Sequence, residues 1–115
     1  MSTLFTKIIN RQIPASILYE TDKVIAFNDI NPQAPVHILV VPKKEIPTLN
    51  DIEVEDCEYI MGMYSAIKEI TKDLKIAEDG YRVITNCNSY GGQEVFHLHF
   101  HILGGEPLGS MLCSK

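Results

Sequence analysis

Three of the four histidines of this chain alternate along one apolar run, Val95–Leu103. Successive side chains of a β-strand point to opposite faces, so a strand here places His97, His99 and His101 on one face. Neighbouring imidazoles then lie ~6.6 Å apart, since a strand rises ~3.3 Å per residue. A row of groups that titrate near neutral pH has little structural use. The run therefore predicts a strand that carries a functional site.

Length and composition indicate one compact domain, residues 1–115, without linker or internal repeat. The net charge of −5 argues against nucleic acid as the main partner, because its backbone requires a basic face. No apolar run approaches the ~20 residues of a membrane span, so no membrane partner is expected. Cys57, Cys87 and Cys113 are odd in number and form no C-x-x-C pair. They indicate free thiols and a cytoplasmic location.

The first half of the chain predicts one helix and three strands. Apolar residues at helical spacing predict the helix over Thr3–Arg11, capped by Thr3 or Ser2. Alternation and turn residues predict the strands, which are Ile17–Glu20, Val24–Phe27 and Val36–Val41. The third is largely apolar, which suits the middle of a sheet, and Pro42 ends it.

The second half predicts a long helix and two further strands. Apolar residues recur at steps of three or four from Cys57 to Leu74, with Asn50 or Asp51 as the cap and Asp79-Gly80 as the stop. The strands are Tyr81–Asn86 and Val95–Leu103, separated by a turn at Asn88–Gly92. Five strands and two helices in this order predict an α+β domain with a mostly antiparallel five-stranded sheet.

Three kinds of chemistry can use the histidine row. A zinc site requires nitrogens ~2.0–2.1 Å from the metal, and the outer strand histidines lie ~13 Å apart at Cα. Two of them would need a third ligand from elsewhere, such as His37. General acid–base catalysis without a covalent step leaves a third imidazole unexplained.

Nucleophilic attack on phosphorus uses the whole row. A neutral imidazole is a good nucleophile at pH 7, because its unperturbed pKa is about 6.5. A carbonyl or a second histidine that holds Nδ1–H aims the Nε2 electron pair outward. The Gly91-Gly92-Gln93 turn before the strand offers main-chain amides to phosphate oxygens.

The run His97–Leu103 resembles the signature of the histidine-triad (HIT) family, three histidines alternating with apolar residues. Other segments resemble the Hint branch of that family: Ile8-Ile9, Ile13–Ala15, Ala26–Ile30, Pro32–His37, Val41–Lys44, Asn86, Gly91–Gln93 and Leu103–Gly105. A transferase branch has Gln where this chain has His101, so the resemblance implies hydrolysis. It also implies the HIT-like fold and a homodimer joined through the long helix and a central strand into one continuous sheet.

The resemblance implies a role for each histidine. His99 would be the nucleophile that becomes nucleotidylated, and His101 would contact the phosphate and assist the leaving group. His37 and His97 would orient the others through hydrogen bonds.

The resemblance also implies a nucleotide pocket. Asp29 would accept both ribose hydroxyls, and Asn86 would contact the phosphate. Leu4, Phe5, Ile8, Phe27 and Ile30 would enclose the purine. The remaining residues of the implied pocket are Asn28, Gly92, Gln93, Glu94 and Val95. Glu94 stands where animal members commonly have Ser near the leaving-group nitrogen, and a carboxylate there would prefer an amine cation.

The resemblance implies a hydrolase of purine nucleoside 5′-phosphoramidates that releases a nucleoside monophosphate and an amine, with no metal or other cofactor. Its expected partners are a purine nucleotide substrate and a second copy of the chain. Two other functions remain open at this point. One is a nucleotide-binding or scaffold protein, and the other is a dinucleoside polyphosphate hydrolase.

Overall fold

The computed structural model describes residues 3–112 of the chain. Its helices are α1 (Leu4–Ile9), α2 (Cys57–Asp73) and α3 (Asn88–Gly91), and its strands are β1 (Ile17–Glu20), β2 (Val24–Asn28), β3 (Val36–Pro42), β4 (Arg82–Ile84) and β5 (Phe100–Gly104). Two 3₁₀ turns, Leu49–Asp51 and Val54–Asp56, precede α2. Cys113, one of the predicted free thiols, lies outside the described residues, as does Ser2.

The five strands form one sheet in the order β1-β2-β3-β5-β4, and each neighbouring pair is antiparallel. The predicted α+β fold is therefore confirmed, with α3 as an additional short helix. The central strand β3 is paired on both sides, so a sheet that continues into a second protomer would have to use β1 or β4. Within residues 3–112, no helix has the length and apolar character needed to cross a bilayer.

Apart from His37, strand β3 is apolar because both faces of the sheet are covered. Its residues Ile38 and Val40 belong to the buried cluster that includes α2, whereas Leu39 and Val41 belong to the cluster that includes α1. Burial on both faces removes the need for polar residues at alternate positions. The α1 face of the sheet is the one that carries the cavity described below.

The prediction for the last strand was wrong at its start. Strand β5 begins at Phe100, which pairs with Val40 of β3, and not at Val95. Before Phe100 the chain leaves the sheet, and Leu98 N–H donates to Ile46 O at 2.7 Å. Only His101 of the three alternating histidines therefore lies on a strand, and the other two are placed by side-chain hydrogen bonds.

Both predicted ends of the long helix were also wrong. Asn50 and Asp51 lie in a 3₁₀ turn, where Asn50 N–H donates to Thr48 Oγ1 at 3.1 Å and Asp51 Oδ2 accepts from Thr48 N–H at 3.0 Å. Both residues belong to a separate 3₁₀ turn with its own capping box, and α2 begins later, at Cys57. The helix ends at Asp73, before Asp79-Gly80, because Lys75 adopts a left-handed conformation with φ 59°.

Candidate active site

A cavity of about 450 Å³ lies beside α1 and is bordered by the loop after β2 and the segment before β5. Its lining includes every residue of the implied nucleotide pocket except Gln93. These lining residues are Leu4, Phe5, Ile8, Phe27, Asn28, Asp29, Ile30, Asn86, Gly92, Glu94, Val95, His99 and His101. His37 also lines the cavity, whereas His97 lies behind it and is fully buried.

Six further lining residues had no site assigned from the sequence. They are Ile13, Pro14, Ala15, Asn31, Gln33 and Leu39. Five of them lie close in sequence to predicted residues, either in the segment after α1 or in the loop after β2. Ile13, Pro14, Ala15 and Gln33 lie in two of the motif segments named above, and this position was the available signal, because apolar and amide side chains carry no chemical signature of a site.

His99 has one ring nitrogen bonded to the main chain and one left for a ligand. Its Nδ1 lies 2.7 Å from the carbonyl oxygen of His97, which can only accept, so Nδ1–H is the donor. Burial lowers the pKa of His99 and favours the neutral ring, in which Nε2 then carries the free electron pair. Phe5 packs edge-to-face against this ring with centroids 4.9 Å apart, which fixes its plane.

His37 and His101 form a hydrogen-bonded pair whose tautomers follow from one main-chain amide. Gln33 N–H donates to His37 Nδ1 at 3.0 Å, so a neutral His37 carries its proton on Nε2. His37 Nε2–H in turn donates to His101 Nδ1 at 2.9 Å. A neutral His101 therefore presents Nε2–H. Burial, and then the neighbouring His99 and His37, lower the pKa of His101 to about 4.

His97 lies behind the cavity, where both of its ring nitrogens have hydrogen-bond partners. Its Nε2–H donates to Pro42 O at 2.8 Å, and its Nδ1 lies 3.2 Å from Thr3 Oγ1. Burial lowers its pKa, so the ring is neutral at pH 7. The main-chain partners Pro42 O and the Gln33 amide were not found from the sequence, because a main-chain group has no residue-specific signal.

Asp29 is both a turn residue and a cavity residue. Its Oδ1 accepts Asn31 N–H at 2.8 Å, and its Oδ2 lies 3.4 Å from His37 Nε2. Glu94 is the second carboxylate of the lining, and among residues 3–112 no Lys or Arg lines the cavity. The electrostatic character of the cavity is set by two carboxylates and three imidazoles.

The structure does not support the implied contact of Gln93 with a nucleotide. The Gln93 amide group donates to Pro47 O at 2.8 Å and to Val95 O at 3.1 Å, and its oxygen accepts Asn88 N–H at 2.9 Å. The main-chain N–H groups of Gly92 and Gln93 donate within the turn, to Ser89 O and Asn88 O. These groups hold the segment in shape, so in this conformation they are not free for a phosphate.

Comparison with known proteins places this arrangement in a family. Residues 10–108 match the family described as "HIT domain". The chain belongs to the HIT family. A protein of Escherichia coli (strain K12) named "Purine nucleoside phosphoramidase" is 52% identical to it over 113 residues, which cover 98% of this chain and 95% of that protein.

Solved HIT structures agree with the fold as well as the sequence. A histidine triad protein from Clostridium difficile is 47% identical, with a TM-score of 0.92 and 97% of each chain covered. A histidine triad nucleotide-binding protein from Candida albicans is 32% identical, with a TM-score of 0.82, and covers 99% of this chain and 86% of its own.

One group of side chains in this HIT site has the spacing of a metal site. Asp29, His37 and His101 each offer a ligand atom, and these atoms lie within 4.8 Å of one another. A metal ligand needs a free electron pair on the coordinating nitrogen. The Gln33 amide keeps the proton of His37 on Nε2, the nitrogen that faces the group. The tautomer therefore opposes metal binding.

Proposed function

We propose that this HIT protein hydrolyses purine nucleoside 5′-phosphoramidates and releases a nucleoside monophosphate and an amine. The observation that carries the proposal is His99, a buried neutral imidazole whose Nδ1–H is bonded to His97 O. Among residues 3–112, its Nε2 has no hydrogen-bond partner. This is the form in which imidazole is a nucleophile. The relative named purine nucleoside phosphoramidase supports the choice of substrate class.

In the first step His99 Nε2 attacks phosphorus and the bond from phosphorus to the amine nitrogen breaks. The nucleotidyl-His99 ring is then a cation, and His97 O stabilises its Nδ1–H. The departing nitrogen must gain a proton. His101 is the donor, because its ring lies beside that of His99 with centroids 5.0 Å apart. The anionic substrate favours protonated His101 by Coulomb attraction, which opposes the lowering of the His101 pKa by burial.

In the second step water attacks the nucleotidyl group. Neutral His101 accepts a proton from the water, the bond from phosphorus to His99 Nε2 breaks, and His99 returns to its neutral form. The products are the nucleoside monophosphate and a protonated His101, which restores the acid for the next cycle. Two carboxylates, with no Lys or Arg among the described lining residues, favour release of the anionic product.

The two ends of the cavity suit the two ends of a nucleotide. Phe5, Ile8 and Phe27 are buried and provide an apolar wall for a purine, with Leu4 and Ile30 at the exposed rim. Asp29 accepts the ribose hydroxyls, and Asn86 lies on the lining where it can reach the phosphate. Asn28, Gly92, Glu94 and Val95 complete the binding surface.

Two alternative functions use the same cavity. A dinucleoside polyphosphate brings several negative charges, and Glu94 with a lining devoid of Lys and Arg within residues 3–112 disfavours it. A protein that only binds nucleotides has no use for the oriented His99. The test is steady-state turnover of an adenosine 5′-phosphoramidate that bears a fluorescent amine, beside diadenosine tetraphosphate. Turnover of the first alone is expected, and tight AMP binding without turnover would favour the binding protein.

We further propose that the protein is a cytoplasmic homodimer. Edge strand β4 leaves main-chain groups unpaired, and Met61 and Tyr64 of α2 are 59% and 55% exposed. Pairing of two β4 edges would extend the sheet, and contact between two copies of α2 would cover part of this apolar surface. Free thiols at Cys57 and Cys87 suit a reducing compartment. A mass near 12.9 kDa by light scattering at micromolar concentration would contradict the dimer.

A further inference from the structure

We propose that Thr3 is a positioning residue for the reaction, because its one hydroxyl group donates to Nδ1 of His97 and also caps α1. The residue has no part in the chemistry derived above and does not line the cavity. The inference rests on the proposed role of His99 as nucleophile. Thr3 holds the His97 ring, and the main-chain carbonyl of His97 orients His99.

The surroundings of His97 determine which of its ring nitrogens carries a proton. The ring is fully buried, and burial lowers its pKa, so it carries a single N–H. Pro42 O lies 2.8 Å from Nε2 and can only accept, so that N–H is on Nε2. Nδ1 is therefore an acceptor. Within the described residues, its hydrogen-bond partner is Thr3 Oγ1 at 3.2 Å.

The Thr3 hydroxyl has a partner for its hydrogen and for each of its electron pairs. A hydroxyl has one hydrogen to donate and two electron pairs to accept with. The hydrogen of Thr3 goes to His97 Nδ1, and one electron pair accepts Thr6 N–H at 3.2 Å, the capping bond of α1. The Thr6 hydroxyl, 3.3 Å away, is placed to donate to the remaining pair. One group thus connects α1 with His97.

The bond from Thr3 to His97 affects the reacting atoms through the main chain of His97. The carbonyl of His97 is the group that holds His99 Nδ1–H at 2.7 Å. Phe5, two residues after Thr3, packs against both rings, with centroids 5.9 Å from His97 and 4.9 Å from His99. Without the Thr3 donor, His97 Nδ1 is a buried acceptor that has lost its partner, and the ring must shift to recover one. Such a shift disturbs the main-chain carbonyl of His97 that orients His99.

A capping role and a positioning role predict different kinetics. Loss of the cap alone loosens α1, which lines the purine end of the cavity, and therefore raises KM and the Kd for AMP. Loss of the His97 contact misaims the nucleophile and lowers the rate of the chemical step, since misplacement by about 1 Å can cost roughly 100-fold. The chemical step is best followed as the single-turnover rate of adduct formation, because product release can limit kcat.

Three variants test the Thr3 hydroxyl, and the effect on KM or on the rate of the chemical step then distinguishes the two roles. Thr3→Val removes the hydroxyl, Thr3→Ser keeps it, and Thr6→Val is the matched control one helical turn away. We expect Thr3→Val to slow adduct formation by about 10- to 100-fold. Thr3→Ser should restore most of that rate, and Thr6→Val should stay within about twofold of the unmodified protein, since it leaves the donor to His97 intact. Chemical denaturation of each variant checks that it is folded.

The histidine ¹⁵N spectrum tests the contact independently of folding losses and of activity. In the unmodified protein, His97 should have an unprotonated Nδ1 and a protonated Nε2. Thr3→Val should shift the Nδ1 resonance, because that nitrogen loses its hydrogen-bond donor. A protonated Nδ1 in the unmodified protein would overturn the proposal, as would Thr3→Val with raised KM but an unchanged adduct rate. An adduct that survives in His99→Ala would instead refute the nucleophile of the proposed function, while the ¹⁵N result would still decide the Thr3 contact.

Discussion

Asp29→Asn separates the two contacts that the Asp29 side chain makes. Oδ1 accepts Asn31 N–H at 2.8 Å, and an asparagine oxygen at the same position can keep that bond. Oδ2, which lies 3.4 Å from His37 Nε2, becomes an NH₂ group that can only donate. The variant therefore retains the turn and loses the negative charge and the acceptor that the proposal assigns to the ribose.

The expected loss of AMP affinity follows from the number of hydrogen bonds that the Asp29 carboxylate can accept. Each carboxylate oxygen has two electron pairs, and one of the pairs on Oδ1 is occupied by Asn31 N–H, so the carboxylate has room for two hydroxyls. In Asp29→Asn at least one hydroxyl loses its acceptor. A hydrogen bond to a charged group contributes about 1.5–3 kcal/mol, so AMP should bind about 10- to 150-fold more weakly.

Calorimetry with AMP and with 2′,3′-dideoxy-AMP isolates the ribose contribution. The Asp29 charge also raises the pKa of His99 and of His101, but that influence acts on both ligands and cancels in the comparison. Glu94→Gln is the matched control, because it removes the same charge from the same cavity and should change the two affinities equally. Equal losses for AMP and its dideoxy analogue in Asp29→Asn would refute the ribose contact and leave Asp29 as a turn residue.

Two further predictions concern pH and metal. Burial lowers the pKa of His101 from 6.5 in the unfolded chain to about 4, so the unfolded state binds the proton more readily. The stability linked to this group is complete above pH ~6.5 and falls by roughly 3 kcal/mol on acidification to pH ~4. His101→Gln should remove most of this acid-dependent loss in urea titrations, and an unchanged pH dependence would contradict the shift. Chelators should leave turnover unaltered, because the Gln33 amide keeps a proton on His37 Nε2, whereas stoichiometric zinc with chelator-sensitive turnover would show that this tautomer is wrong.

The sequence was informative wherever a pattern of side chains carries the structure. Alternation and helical spacing predicted the five strands and both longer helices, since burial on a particular face requires those patterns. The start of β5 was not predicted, because His97–His99 keep the alternation of a strand while Leu98 N–H leaves the sheet for Ile46 O. The start of α2 was missed because Asn50 and Asp51 have the residue types of a helix cap but serve an earlier turn.

The candidate site shows the same division. Most of the lining residues were implied by the family resemblance, whereas the tautomers of the histidines depend on Pro42 O, His97 O and the Gln33 amide. These main-chain groups exist at every residue, so only their placement in three dimensions gives them a function. Gln93 illustrates the reverse case, a motif residue whose polar side-chain atoms are all engaged in holding the loop.

The central claim is that His99 is the nucleophile, and the most direct test is an acid-quenched reaction analysed by intact-protein mass spectrometry. The unmodified protein should show an added mass of one nucleotidyl group during turnover, and His99→Ala should show none while it binds AMP within a few-fold of normal. His101→Ala should still form some adduct from substrates with good leaving groups, since general acid–base assistance contributes about 10²–10⁴-fold. An adduct that persists in His99→Ala and disappears in His97→Ala or His101→Ala would contradict the assignment.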